Sequence, residues 1–162
     1  MSAILFDLDG TLIDSLVGIH ATASAVLADR GHPTPDRSAL QALVGAPLES
    51  IFATLVPALD AAASLTYANH YREMYWSVGV PHTPLFPGIS DLLTELASLG
   101  AGLAVVTTKR VDVATHILAA LDIARHFRIV IGGDSTPHHK PHPAPALAAV
   151  TALSADPQTA TV

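Results

Sequence analysis

Two aspartates one residue apart, in the run Phe6-Asp7-Leu8-Asp9-Gly10-Thr11-Leu12, carry the densest chemical signal in the chain. A carboxylate can attack phosphorus, and a second one in the same site can hand a proton to a leaving group and take one from water. Gly10 frees the backbone beyond them, so that both side chains can be aimed at one point. Asp and Gly also favour ordinary turns, and the two acids alone decide little. The whole string, following directly on an apolar run, points to a site.

Two further strings supply groups of the opposite character. Val105-Val106-Thr107-Thr108-Lys109 ends a second apolar run with hydroxyls. Thr107 there, with free N–H groups at the start of the next helix, suits a phosphate oxygen. Lys140-Pro141-His142-Pro143-Ala144-Pro145 places an ammonium just before a helix that proline can open, where it neutralises a carboxylate and a bound phosphate.

The elements that must position these groups read as follows. Ala3 to Phe6, Gly102 to Val106 and Arg128 to Gly132 are short buried strands, and helical patterns precede the last two. That alternation implies a parallel sheet with helical crossovers, the doubly wound Rossmann-like α/β class. Ligands of such sheets sit beyond the carboxyl ends of the strands, where the motifs fall. Thr159 to Val162 reads as the opening of a fourth strand.

Residues 15–83 form a helical insertion too long for a crossover, and are expected to make a cap domain beside a core of 1–14 and 84–162. Its first helix is capped by Ser15, ended by Gly31 and faces inward through Leu16, Ile19, Ala23, Val26 and Leu27. Pro47 opens a second segment through Leu55. A third runs from about Asp60 to Trp76, with Leu65, Ala68, Tyr71 and Tyr75 on one face. The Tyr67, Tyr71, Tyr75 stripe reads as cap core, and His20, Arg72 and His82 as polar tips that could read a substrate but fit exposed surface residues better.

Composition narrows the alternatives. Half of the 162 residues are hydrophobic and 14% charged, which excludes disorder. Mean hydropathy is +0.44, yet the longest apolar stretch, Leu96 to Val106, is too short to span a bilayer. The N-terminus lacks the pattern of a secretory signal, so a cytoplasmic protein is expected, with no membrane partner. A net charge of −6 and eight scattered Lys and Arg argue against nucleic acid. Zero cysteines exclude thiolate chemistry. His138, His139 and His142 crowd around Lys140, but a proline-rich loop readily carries solvated histidines, and a hard-cation site takes oxygen ligands.

The run Asp7-Leu8-Asp9-Gly10-Thr11-Leu12-Ile13-Asp14-Ser15 resembles the first motif of the haloacid dehalogenase superfamily, in its phosphoglycolate phosphatase branch. Thr107 matches that family's phosphate-binding Thr or Ser, Thr108-Lys109 falls where relatives often carry Asn-Lys, and Lys140 matches its lysine motif. The resemblance implies a haloacid-dehalogenase-like core with a helical cap that excludes water and contacts substrate. It implies that Asp7 forms an aspartyl-phosphate and that Asp9 is general acid and base. It implies that Asp7 and the Asp9 carbonyl hold Mg2+, that Thr107, Thr108 and Lys140 bind phosphate, and that the substrate is a small phosphorylated metabolite. The aspartate at position 9 points to phosphoryl transfer and away from dehalogenation.

A related sugar-phosphate mutase or pyrophosphatase stays open, as does a catalytically inactive phosphate- or partner-binding module. Phosphonoacetaldehyde hydrolysis wants a Schiff-base lysine, and 15–83 contains none. Relatives continue with a fourth strand and a Gly-Asp motif that completes the magnesium site, whereas no acid follows Asp156 here. The expectation is a truncated form of a longer enzyme, with weakened metal binding. An apolar edge would be left on the first strand, open to a homo-oligomer or swapped dimer.

Overall fold

A computed structural model describes residues 2–162. In chain order the regular elements are β1 (Ala3–Phe6), α1 (Ser15–Ala28), α2 (Arg37–Leu43), α3 (Leu48–Leu55), α4 (Ala61–Met74), α5 (Ile89–Ser98), β2 (Gly102–Val106), α6 (Val111–Ala120), β3 (Ile129–Ile131) and α7 (Ala144–Ala152). They divide between two compact units: the residues up to Asp14 together with Pro84–Val162, and Ser15–Thr83. Among the described residues no helix is long and apolar enough to cross a membrane.

The first unit is α/β. Its three strands are parallel in the order β1-β2-β3, with Phe6 opposite Val105 and Val106 opposite Ile131. Every residue of β2 is buried, as expected of a central strand covered on both faces. Ala3, Leu5, Ala104, Val106 and Ile131 meet Ala149 and Val150 of α7, and Leu153 just past its end, in one apolar cluster. The small alanines let that helix lie close on the sheet. The outer edge of β1 is partly covered: Thr161 donates to the Ala3 carbonyl and accepts from the Leu5 N–H, both at 2.9 Å. Thr161 thus opens a fourth parallel strand beside Ile4, and the edge expected to be open is paired at that point.

The second unit is helical. The Gly31 (φ +74°) N–H bonds to Ala28 O, and the His32 N–H to Leu27 O, which ends α1 in a Schellman turn. Of the expected inward face of α1, Ala23, Val26 and Leu27 are buried, while Leu16 and Ile19 are only half-buried. Gly18 and Thr22 are buried instead. A Cβ on Gly18 would lie 2.2 Å from Thr83 Oγ1 and 2.3 Å from Gly79 O, so only a glycine permits this approach.

Asp36 and Asp60 cap α2 and α4 by accepting from Ala39 N and Ala63 N. α2 escapes the sequence pattern because a helix of seven residues that buries only Leu40 leaves almost no periodic signal. In α4, Tyr67, Ala68 and Tyr71 face inward, followed by Tyr75 beyond its end, while Leu65 is exposed. Tyr71 stacks on Tyr75 at 5.7 Å and Phe52 lies 5.7 Å from Tyr67, so the tyrosine stripe is core. His20, Arg72 and His82 are engaged inside this unit, by Pro35 O, Glu49 and Val78 O respectively.

Candidate active site

The loop after β1 is anchored by its apolar residues. Leu8, Leu12 and Ile13 are fully buried, and Leu8 O accepts from Leu12 N at 3.0 Å. Gly10 takes a positive φ of 76°, which lets its N–H reach Ile13 O at 2.9 Å. With Leu8 turned inward, Asp7 and Asp9 keep part of their side chains in solvent.

Each carboxylate meets a lysine. Asp7 Oδ1 accepts from the Leu8 N–H at 2.8 Å and pairs with Lys140 Nζ at 3.0 Å. Lys140 also donates to Val106 O at 3.1 Å, which ties its ammonium to the carboxyl end of β2. Asp9 Oδ1 lies 3.1 Å from Lys109 Nζ. That oxygen is sealed from solvent and its geometry meets no hydrogen bond, so the ammonium compensates it by charge alone. These are the only two lysines in the chain, and both sit on the aspartates of one motif.

Thr107 is buried at the tip of β2. Its N–H donates to Ile131 O at 2.9 Å, and its Oγ1 accepts from Lys109 N at 3.2 Å. Thr108 beside it is exposed. Thr107, Thr108, Arg110, His139 and Lys140 line one crevice together with Gly132–Asp134. Asp7, Phe6, Lys140 and Val162 line a second one, so Lys140 borders both.

One sequence expectation is corrected here. The N–H groups at the start of α6 are not simply open to an anion: Asp134 Oδ1 takes the Val111 N–H at 2.9 Å, and Thr107 takes that of Lys109. Asp134 is therefore a helix cap. Lys109, a candidate for local positive charge on sequence alone, lies against Asp9. Its signal was the scarcity of lysine, because both lysines of the chain fall in the loops that follow predicted strands. The histidines serve the loop around Lys140: His142 Nδ1 accepts from Ala144 N at 3.1 Å, and the rings of His138 and His142 lie 4.4 Å apart.

The Asp7 carboxylate and the Asp9 carbonyl, the ligands expected from the sequence, are both oxygen donors, the kind a hard cation prefers. Among the described residues no group of three or more His, Asp or Glu side chains converges as a metal cage. Magnesium tolerates that, since water and phosphate oxygens commonly fill most of its positions.

Comparison with known proteins agrees with the α/β fold. The model of the haloacid dehalogenase-like hydrolase family matches residues 4–162, and the chain belongs to that family. It is 35% identical over 159 residues to a protein of Dickeya dadantii named "Probable phosphatase IndB", covering 96% of this chain and 69% of that protein. It is 35% identical over 147 residues to a phosphoglycolate phosphatase of Xanthomonas campestris, covering 91% of this chain and 66% of that one. The chain thus spans about two thirds of the length of these curated relatives. Among solved structures, a haloacid dehalogenase-like hydrolase from Streptococcus pneumoniae superposes with a TM-score of 0.77 at 36% identity, covering 99% of this chain and 73% of that one.

Proposed function

We propose that the chain is built for magnesium-dependent hydrolysis of a small phosphomonoester, phosphoglycolate being the first candidate, through a phosphorylated Asp7. The observation that carries this is the pair of carboxylate–lysine contacts at the tip of β1, Asp7–Lys140 and Asp9–Lys109. In this reading residues 15–83 are the helical cap. The substrate class follows the names of the relatives.

Asp7 Oδ1 is held by the Leu8 N–H and Lys140, which leaves Oδ2 to attack phosphorus. The P–O bond to the alcohol breaks as the bond to Asp7 forms, and Asp9 gives the departing oxygen its proton. Asp9 then takes a proton from the water that attacks the phosphoryl group, and Asp7 leaves as carboxylate. Lys140, fixed by Val106 O, offsets the charge gathering on the phosphoryl oxygens. Thr107 and Thr108 bind the phosphate beside it. Magnesium, held by the Asp7 carboxylate and the Asp9 carbonyl, would add charge neutralisation at the same oxygens.

The test is magnesium-dependent phosphate release from phosphoglycolate and an aryl phosphate by this chain beside Asp7→Asn. Turnover lost in the variant supports the reading. The absence of a third acidic ligand among the described residues favours a second one, phosphate binding without turnover. Saturable binding of inorganic phosphate by a folded chain with no turnover selects that alternative.

A further inference from the structure

We infer that Lys109 is a positioning residue for Asp9, holding its carboxyl group so that one oxygen carries the proton in both halves of the reaction. The inference rests on the phosphatase reading above and assigns a role to a residue which that reading does not use.

The geometry supports the assignment at three levels. Asp9 Oδ1 is sealed from solvent without a hydrogen bond, and the Lys109 ammonium is 3.1 Å away. Leaving a carboxylate oxygen buried beside no charge is costly, so the ammonium pins Oδ1 inward and turns Oδ2 toward the site. The Lys109 side chain is itself largely enclosed, at 19% exposure against 51% for Arg72 in its ion pair with Glu49. An enclosed pair keeps one geometry where an exposed pair samples many.

The backbone of Lys109 is clamped as well. Its N–H goes to Thr107 Oγ1 at 3.2 Å, and its carbonyl accepts from Gly133 N at 2.7 Å. Asp134 caps the next residue but one, Val111. Gly133 has no room for a side chain, because a Cβ would stand 2.4 Å from Thr108 O. The loop after β3 therefore presses the loop after β2 into the position from which Lys109 reaches Asp9. That contact joins three strand ends.

A positioning role differs from a structural one in which kinetic constant moves. An aryl phosphate has a leaving group stable enough to depart without a proton, whereas an alkyl phosphate needs the acid. In Lys109→Met, kcat/KM for an alkyl phosphate is expected to fall about 30-fold, less than the roughly 100-fold or more that losing a general acid outright costs, because Asp9 itself remains. For p-nitrophenyl phosphate kcat/KM should fall only about threefold, while kcat and KM fall together because water attack on the phosphoenzyme still needs Asp9. Asp9→Asn should show the same split, and Lys109→Arg should recover most of the alkyl activity. Equal losses on both substrates would overturn the inference and leave the phosphatase reading standing.

If the wild-type chain turns over neither substrate, the phosphatase reading fails by itself. The pair is then tested by denaturant unfolding of Lys109→Met, Asp9→Asn and the double variant. A coupling of about fivefold or more in the unfolding equilibrium constant supports a locked pair, and strict additivity overturns it.

Discussion

The two units of this chain treat polar side chains in opposite ways. In Ser15–Thr83 they are consumed by the fold: Asp36 and Asp60 cap helices, Thr22 and Thr83 bond back to Gly18 O and Gly79 O, and Arg72 reaches Glu49. At the strand tips of the other unit, both lysines of the chain converge on the two acids of one motif. Local side-chain-to-backbone bonds stabilise an element wherever it occurs. Charges gathered from separate strand ends stabilise little and cost desolvation, so their convergence is the feature on which the proposed function rests.

The sharpest way to break that contrast is at Lys140. Lys140→Met removes the ammonium from Asp7 and is expected to lower kcat/KM by about 100-fold or more, with the thermal unfolding midpoint little changed. An unaffected kcat/KM would make the pair an ordinary surface contact. A conspicuous packing change in the helical unit should do the reverse. Gly18→Ala forces a Cβ against Gly79 O at 2.3 Å and should cost about 2 kcal/mol of stability by overpacking, read by denaturant unfolding.

Between these two lies Gly133→Ala, which links packing to the site. It should cost about 1–2 kcal/mol, as overpacking does. It should also lower alkyl-phosphate kcat/KM in the manner of Lys109→Met, because the clamp on the Lys109 carbonyl is lost. A stability loss with unchanged kinetics would separate the clamp from catalysis. Smaller still is Asp60→Ala, which removes the cap of α4 and should cost about 1 kcal/mol.

The smallest effect is one of pH. The hydrogen bond from Arg72 holds the Glu49 carboxyl below its ordinary value of 4.5. A lowered folded value means that this stabilisation is complete above the unfolded value and disappears as pH falls through the lower folded one. The melting-temperature gap between wild type and Glu49→Gln should therefore be constant near neutrality and close under acid conditions. A gap that widens on acidification would contradict the assignment.

How much of this was legible in the sequence depends on range. β1 and β2 run between the residues expected, because an apolar strand ending in Asp or Thr is a local signal. The fourth-strand opening at Thr161 was equally local. What escaped detection depends on neighbours distant in sequence. Lys109 gains its partner only because β1 and β2 pair in parallel with Phe6 beside Val105, which sets the loops after both strands side by side. The buried face of α1 was legible at Ala23, Val26 and Leu27, but apolar periodicity also favours Leu16 and Ile19 and passes over small Gly18 and Thr22, which pack against Thr83 and Gly79. The capping role of Asp134 likewise depends on Val111, 23 residues away in sequence.

The most direct test of the central claim is to acid-quench the chain during magnesium-supported turnover of an aryl phosphate and map the covalent phosphate by peptide mass. The account predicts one phosphoryl group on the peptide carrying Asp7, labile to hydroxylamine and absent from Asp7→Asn. Turnover with no such adduct under conditions that trap it, or an adduct that persists in Asp7→Asn, would contradict the account.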